Sequence, residues 1–243
     1  MKLCLIGIGT GNPDHLTFQG AQALAAADLV LIPEKGTGKE DLAHIRHAIL
    51  DRVAPDVPRA SFTMPRRDSS GDYRQGVHDW HDAIAAQWLR AIGGCDGTVA
   101  LLVWGDPSLY DSTLRIAARL DPAPQVQVIP GITALQALTA AHAIPLNTVG
   151  GPVTITTGRQ IRDHGWPDGA ETVAVMLDGE CSFQALDPRG LTIWWGAFVG
   201  MPEQILDHGP LAQAGPRIIA TRAQARDRHG WVMDIYLLRR DTA

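Results

Sequence analysis

Residues 98–113 read TVALLVWGDPSLYDST and residues 128–146 read VIPGITALQALTAAHAIPL, and these two stretches decide the fold. Each is an apolar, β-branched run that stops at a loop rich in Gly and Pro and then passes into a helical pattern. Apolar runs of this kind are typical of strands that are buried on both faces of a parallel sheet. In such a sheet, ligands bind in the crevice outside the carboxyl ends of the strands. The two stretches therefore predict an α/β fold whose loops can present their backbone to a ligand.

A third loop follows the first apolar run, in LCLIGIGTGNPDHLT at residues 3–17. Its glycines invite comparison with the dinucleotide-binding fingerprint, in which the third glycine opens a helix and an acidic residue ends the next strand. Here NPD at residues 12–14 follows the glycines, and the next apolar run ends in a proline at position 33, so the fit is poor. A ligand loop of another kind is the favoured interpretation, and a tight turn without a ligand and a nicotinamide site are the alternatives.

Charge and composition bound the class of protein. The 243-residue chain is 45% hydrophobic and 19% charged, which is ordinary for a globular protein with a packed core. Its formal net charge of −5 gives no basic field, so we expect no nucleic-acid partner and no membrane partner. Cys4, Cys95 and Cys181 are odd in number and widely spaced, which argues against disulfides and against a zinc site. We therefore expect no metal, and a reducing, cytoplasmic location.

The chain divides at a stretch rich in turn formers, NTVGGP at residues 147–152, which we interpret as a linker. It separates a predicted N-terminal α/β domain at residues 1–146, with the Gly-rich loops, from a predicted C-terminal α/β domain at residues 153–243. In the first domain, residues 54–75 read as one long irregular segment. In the second, helices are predicted near 159–164 and 202–214, and strands at 153–157, 172–177, 191–195, 217–220 and 231–238.

Four motifs, by their order and spacing, resemble the tetrapyrrole methylase family: GIGTGNPDHLT at 7–17, DLVL at 28–31, VWGDPSLYDST at 103–113 and VIPGITALQALTAAHAIPL at 128–146. The similarity extends through essentially the whole chain. It implies two α/β domains with the cofactor in the cleft between them, and not a Rossmann-type methyltransferase. It also implies that S-adenosyl-L-methionine donates a methyl group to a corrin or porphyrin precursor and leaves as S-adenosyl-L-homocysteine.

Within the family, softer signals at residues 32–50, 64–88 and 194–206 resemble the members that act on carbon 1 of a corrin precursor. This similarity implies methylation of precorrin-5 at carbon 1 with release of its acetyl group as acetate, giving precorrin-6A in aerobic cobalamin biosynthesis. A methylase of another precorrin carbon or of a protein substrate is the first alternative. A non-catalytic tetrapyrrole carrier is the second, although an intact set of cofactor loops argues against it.

The resemblance also implies cofactor contacts, residue by residue. In the second domain, Met176 or Leu177 at the end of the ETVAVML strand matches a position beside adenine. Ala220 matches another contact, although relatives often have glycine there. Many of these contacts are expected to use the backbone, which suits loops rich in glycine. In the first domain the implied contacts are Pro13, Trp104, Gly105, Asp106, Leu109, Thr133 and Ala134.

Acetyl release adds a hydrolytic step, in which water must reach the acetyl carbonyl and a base helps. Asp106, Tyr110 and Asp111 are the candidate catalytic residues, and no single base stands out among them. His78 and His81 are further candidates, because they share one face of a predicted helix. The favoured interpretation of this histidine pair is a solvated helix surface, and a metal pair is the least favoured because no third ligand is evident.

Basic residues near the loops are candidates for substrate binding, because the implied tetrapyrrole substrate carries many carboxylates that arginine can bind bidentately. These candidates are Lys35, Arg46, Arg66 and Arg67. The same segments also hold acidic residues, so a surface whose charges pair with one another is the alternative.

Two further features of the second domain bear on its surfaces. The arginines within residues 217–240 alternate with aspartates, which predicts a solvated face. Trp194 and Trp195 end a predicted strand, and adjacent strand residues face opposite ways, so we expect one of them at a cleft or an interface. The family resemblance implies a homodimer.

Overall fold

The structure, a computed structural model, describes residues 1–34, 40–67, 70 and 72–241, apart from the side chains of residues 40–43 and 73. The chain forms two compact units, Met1–Thr133 and Ala134–Ala243. Each unit is built on one five-stranded sheet with helices in the connections between strands. The α/β class predicted from the sequence is confirmed.

The first unit contains β1 (Lys2–Gly7), α1 (Phe18–Ala25), β2 (Leu29–Glu34), α2 (Glu40–Val53), β3 (Arg59–Thr63), α3 (Tyr73–Ile92), β4 (Thr98–Val103), α4 (Thr113–Ala117) and β5 (Gln125–Ile129). Its sheet is parallel, with the strand order β3-β2-β4-β1-β5. Because β1 lies between β4 and β5, the loops that follow these three strands emerge side by side at the carboxyl edge of the sheet.

Alternation along β1 explains why this sheet is covered on both faces. Leu3 and Leu5 point to one face, where they pack in one core with Trp88 of α3. Ile6 points to the other face, where it packs in a second core with Leu24 of α1. Each fully buried aliphatic side chain contributes about 1.5–3 kcal/mol to folding. The two cores hold the sheet rigid behind its loops.

The second unit contains α5 (Ala134–Ala141), β6 (Val153–Thr157), α6 (Gly158–His164), β7 (Thr172–Met176), β8 (Leu191–Ala197), β9 (Ile205–Pro210), α7 (Leu211–His229) and β10 (Asp234–Arg240). Its sheet is mixed, with the order β6-β7-β10-β8-β9, and only β6 and β7 are parallel.

Helix α5 groups with the second unit, whereas the sequence analysis placed residues 134–146 in the first domain. Two contacts within the unit explain this grouping. The Nε2 atom of His142 donates to the carbonyl of Trp195 (3.0 Å). Gly196 of β8 lets Leu138 approach so closely that an added Cβ at position 196 would lie 2.9 Å from Leu138 Cδ1.

Three of the predicted elements are wrong. The segment 54–75, predicted to be irregular, contains the edge strand β3, which pairs with β2. In the predicted helix near 202–214, residues 205–210 form strand β9 and only residues 211–214 are helical, as the start of α7. The residues of β9 alternate between half-buried and exposed, as an edge strand requires. The predicted strand 217–220 lies inside α7; Pro216 reads as a helix breaker in the sequence, but the helix accommodates it.

The paired tryptophans divide as alternation predicts. Trp195 is fully buried, whereas Trp194 is half-buried and lies under the guanidinium of Arg239 at 5.1 Å from the ring centre. In the part of the chain that the structure describes, no helix is long and apolar enough to cross a membrane.

Candidate active site

Three loops of the first unit meet at the carboxyl edge of its sheet, backbone against backbone. Gly9 and Gly105 exchange two main-chain hydrogen bonds, of 3.3 Å and 2.8 Å. A Cβ atom added to Gly7 would lie 2.6 Å from the amide nitrogen of Gly131 and 2.7 Å from the carbonyl oxygen of Gly105. Main-chain atoms cannot yield as a flexible side chain can, so only glycine fits where these loops cross.

Asp106 ties two of these loops together. Its Oδ2 atom accepts from the amide of Gly131 (2.8 Å), and its Oδ1 atom accepts from the amide of Ser108 (2.8 Å) and from the Ser108 hydroxyl. The residue is only 8% exposed. Burial opposes ionisation, but the hydrogen bonds from Ser108 and Gly131 outweigh it and hold the pKa of Asp106 below its usual value. The carboxylate is therefore a fixed anion that sets the spacing of the loops.

This geometry bears on the catalytic role predicted for Asp106. A general base needs an available lone pair and a pKa near the working pH. Both oxygens of Asp106 already accept hydrogen bonds, and its pKa is lowered. The geometry favours a positioning role for this residue.

Tyr110 and Leu109 complete the loop after β4. Tyr110 has a left-handed backbone, with φ of 49°, and its side chain is 43% exposed. A bulky residue in this region is strained by about 1–3 kcal/mol, and such strain is concentrated at functional sites. Partial burial raises the pKa of the Tyr110 hydroxyl. Leu109 and Trp104 are half-buried, and Gly105 is left-handed at φ of 64°.

Asp111 begins the connection to α4. Its Oδ1 atom accepts from the backbone amide of Thr113 (2.6 Å) and from the Thr113 hydroxyl. Its carbonyl oxygen accepts from Arg115 (2.7 Å). The carboxylate therefore fixes the start of α4, which leaves Tyr110 as the most exposed of the three predicted catalytic residues.

Arg46 of α2 reaches the same edge of the sheet. Its Nε atom donates to the carbonyl oxygen of Leu102 (3.2 Å), beyond the point where β2 stops pairing with β4. Burial lowers the pKa of Arg46 to about 10, and the nearby charge of Asp111 opposes this shift. The guanidinium remains protonated at neutral pH, so α2 holds a partly buried cation beside the loop after β4.

The other predicted substrate residues are placed differently. Lys35 lies outside the described residues. Arg66 and Arg67 are exposed and follow β3, which is separated from β4 by β2. At about 4.8 Å per strand, this puts the end of β3 roughly 10 Å from the end of β4 along the sheet edge.

The remaining first-loop and third-loop candidates follow the glycines closely in the chain. Pro13 opens a 3₁₀ turn after β1 and is half-buried. The Cα atom of Thr133 would lie 3.9 Å from a Cβ added to Gly105. Ala134 is half-buried at the first residue of α5.

In the second unit, β7 ends in a turn at residues 176–182, which we call the Leu177 turn. Met176 is half-buried, and Leu177 is 67% exposed with a left-handed φ of 54°. The next residue, Asp178, is buried and hydrogen bonded. Sequence reasoning identified Met176 and Leu177 but missed Asp178, whose signal is a carboxylate at a strand end with a serine four residues later.

Ala220 does not share this placement. It is exposed on α7, two residues before Arg222, which hydrogen bonds to the carbonyl oxygen of Asp178 (3.2 Å). Residues two apart on a helix point about 200° apart, so Ala220 faces away from the Leu177 turn. Helix α7 therefore lends no support to the cofactor contact predicted for Ala220.

The two histidines on α3 differ in burial: the solvated surface predicted for the pair holds for His78, which is exposed, and is wrong for His81, which is buried. The Nδ1 atom of His78 hydrogen bonds with Arg119 (2.7 Å). His81 is 3% exposed, and burial, together with Arg119 and Arg115, lowers its pKa. No group of three or more His, Cys, Asp or Glu side chains within the described ranges could hold a metal ion.

A parallel sheet with crossing glycine loops at its carboxyl edge, in a chain that also has a mixed α/β unit, defines the class of this protein. The family profile of the tetrapyrrole (corrin/porphyrin) methylases matches residues 2–215, and the chain belongs to that family. The family resemblance predicted from the four motifs is confirmed.

Individual relatives match this chain over nearly the whole length of both proteins. A precorrin-6A synthase (deacetylating) from Sinorhizobium sp. is 46% identical over 249 residues, covering 98% of this chain and 95% of the relative. The crystal structure of a cobalamin synthesis related protein, CobF, from Corynebacterium diphtheriae superposes with a TM-score of 0.86 at 39% identity and full coverage of both chains. The cobalt precorrin-4 methyltransferase CbiF shares the fold, with a TM-score of 0.62 at 16% identity over 98% of this chain and 94% of its own.

Proposed function

We propose that this protein is an S-adenosylmethionine-dependent C-methyltransferase of aerobic cobalamin biosynthesis. It methylates precorrin-5 at carbon 1 and releases the acetyl group as acetate, giving precorrin-6A and S-adenosylhomocysteine. The observation that carries the proposal is the 46% identity to a precorrin-6A synthase (deacetylating) over almost the whole of both chains.

The loops of the first unit fit an S-adenosylmethionine cofactor. Gly105 combines a left-handed backbone with open space at its Cα, where an added Cβ would meet only Thr133 Cα, at 3.9 Å. Main-chain groups there can approach the methionine part of the cofactor, and Pro13, Trp104, Leu109, Thr133 and Ala134 line the same loops. The bound cofactor supplies an electrophilic methyl group. In the second unit, Met176 and Leu177 would lie beside adenine.

The protein's own task in methyl transfer is to orient and desolvate. The electron-rich macrocycle supplies the nucleophilic carbon, so no strong protein nucleophile is needed. Arg46 supports binding of a substrate carboxylate, because it holds a permanent positive charge at the edge of the sheet near Asp111. Lys35, Arg66 and Arg67 extend this basic rim in the proposal.

Deacetylation requires water at the acetyl carbonyl and a group that takes its proton. Of the three candidates, Tyr110 is the one whose side chain is exposed, while the carboxylates of Asp106 and Asp111 hold loop geometry. Its raised pKa keeps the hydroxyl protonated at neutral pH, so Tyr110 suits a hydrogen-bond donor to the acetyl carbonyl and not the base. We assign Asp106 to positioning the loops after β4 and β5. Asp111 fixes the start of α4, and its negative charge favours the protonated form of Arg46.

An anaerobic incubation with precorrin-5 and methyl-labelled S-adenosylmethionine tests the proposal. Mass spectrometry of the macrocycle is expected to show one labelled methyl group, with one equivalent of acetate released. Cofactor binding without either change would contradict the proposed substrate and turn attention to another precorrin carbon or a protein substrate. Macrocycle binding that is independent of the cofactor would favour a carrier.

We further propose that the enzyme works in the cytoplasm as a homodimer. The family resemblance supports the dimer, and three free, widely spaced cysteines suit a reducing compartment. Light scattering of the purified protein tests the dimer, with a monomer mass of 26.2 kDa as the contradicting result.

A further inference from the structure

The Leu177 turn is held by a buried polar network that the proposed chemistry does not use. Four donors reach the carboxylate of Asp178. The amide and hydroxyl of Ser182 donate at 2.6 Å and 2.9 Å, the amide of Glu180 at 3.0 Å, and the hydroxyl of Tyr236 on β10 at 2.7 Å. Asp178 is 7% exposed, so these bonds are shielded from water.

A second layer supports the first. Arg222 of α7 donates to the carbonyl oxygen of Asp178 and forms a buried ion pair with Asp234 (2.9 Å). The indole of Trp195 also donates to Asp234 (2.9 Å). Strands β8 and β10 and helix α7 thus all contribute to one cluster. Gly158 completes it, because an added Cβ at that position would collide with the Asp178 side chain.

The network surrounds a residue in an unfavourable conformation. Leu177 is left-handed at φ of 54°, a region that penalises any residue with a Cβ. Its side chain is mostly exposed, so burial of that side chain does not compensate the penalty. The hydrogen bonds to Asp178, the very next residue, are what fix the backbone of Leu177 in this state.

We propose that Asp178, Tyr236 and Arg222 are positioning residues that hold the Leu177 turn in the left-handed form that binds adenosine. They act through the backbone of Leu177 and do not touch the cofactor. This inference rests on the proposed function and deepens it by naming the buried groups that set cofactor affinity. If the network is weakened, a fraction of molecules relaxes to an ordinary backbone, and the apparent affinity falls by that fraction.

Tyr236→Phe is the informative variant, because it removes one donor to Asp178 and keeps the ring against Phe183 (ring centres 5.3 Å apart). The measurement is the Kd for S-adenosylhomocysteine by calorimetry. We expect roughly tenfold weaker binding. This is the factor by which the free-energy penalty of a left-handed residue with a Cβ shifts the equilibrium between the left-handed and the ordinary backbone of Leu177. At saturating cofactor, kcat should be unchanged while the cofactor KM rises.

Leu177 itself supplies the matched controls. Glycine adopts the left-handed form freely and alanine does not, while both remove the leucine side chain. The Tyr236→Phe effect should therefore shrink to within about twofold in a Leu177→Gly background and remain about tenfold in a Leu177→Ala background. Val173→Ala, a buried change at the opposite end of β7, controls for a general loss of stability.

Equal effects of Tyr236→Phe in the glycine and alanine backgrounds would overturn the inference, as would an equal loss of affinity in Val173→Ala. If Tyr236→Phe does not fold, Ser182→Ala removes the other side-chain donor to Asp178 and is subject to the same comparison. Wild-type protein that fails to bind S-adenosylhomocysteine would instead overturn the proposed function, and this inference with it.

Discussion

Gly131→Ala tests whether the crossing of the three loops depends on the absence of side chains. The added Cβ would lie 2.7 Å from Gly7 Cα and would overlap the carbonyl oxygen of Gly105. An ordinary contact begins at about 3.4 Å, so main-chain atoms must move by at least about 0.7 Å. A shift of that size takes the 2.8 Å bond from Gly131 to Asp106 to the limit of a hydrogen bond.

The expected cost follows from these two effects. Overpacking in a rigid region costs about 1–3 kcal/mol, and weakening a hydrogen bond to a carboxylate adds about 1.5 kcal/mol. We therefore expect urea denaturation to show a loss of about 2.5–4.5 kcal/mol in the free energy of unfolding, and calorimetry to show much weaker binding of S-adenosylhomocysteine.

Gly215→Ala is the matched control for that experiment. Gly215 lies within α7, and an added Cβ there would meet its neighbours at 3.6 Å, an ordinary contact. Alanine in a helix interior should leave stability unchanged or raise it by about 0.5–1 kcal/mol. A Gly131→Ala protein with wild-type stability and wild-type affinity would refute the reasoning about the loop crossing.

Three further predictions address charge. Asp106→Asn should weaken cofactor binding. Because folding lowers the pKa of Asp106, its carboxylate stabilises the fold fully above about pH 4, and this stabilisation is lost as the pH falls further. The difference in free energy of unfolding between wild type and Asp106→Asn should therefore be largest above about pH 4 and shrink below it, which acid titration of unfolding checks. Arg46→Gln should raise the KM for the macrocycle about tenfold in steady-state kinetics and leave the Kd for S-adenosylhomocysteine unchanged; a change confined to cofactor affinity would refute the carboxylate role. Arg222→Met should lower the free energy of unfolding by about 3–5 kcal/mol, because it leaves the buried carboxylate of Asp234 without its cationic partner. Arg222→Met combined with Asp234→Leu should recover much of the lost stability. Additive losses in the double variant would contradict the pairing.

The sequence predicted the parts of the fold that depend on local chemistry. The apolar runs before Gly105 and Gly131 predicted two strands and the loops that follow them, because composition and turn residues suffice there. The prediction of a buried strand is confirmed for β4 and wrong for β5, which lies at the edge of the sheet with most of its residues exposed. Edge strands β3 and β9 were missed because edge strands need less apolar character than central ones. Helix α7 was misread because Pro216 is a helix breaker only on average.

For the candidate site too, the sequence predicted which residues belong to it but not how they are arranged. Motifs identified Asp106 and Leu177, but not that one carboxylate spans two loops or that the other residue is left-handed. The solvated face predicted for the C-terminal arginines is wrong for Arg222, which is buried against Asp234. Such pairings join β10, α7 and β7 across the chain, and no local pattern in the sequence encodes them.

The three-glycine crossing has a consequence for how such a site diversifies. Its geometry resides in main-chain atoms at Gly7, Gly105 and Gly131, so a substitution there has no compensating change elsewhere. Apart from Asp106 and Asp111, whose carboxylates hold the loops, the exposed side chains of these loops do not take part in the crossing and can vary. If the proposed function holds, a lineage can change which macrocycle it accepts by altering exposed loop residues such as Tyr110, while the backbone crossing stays the same.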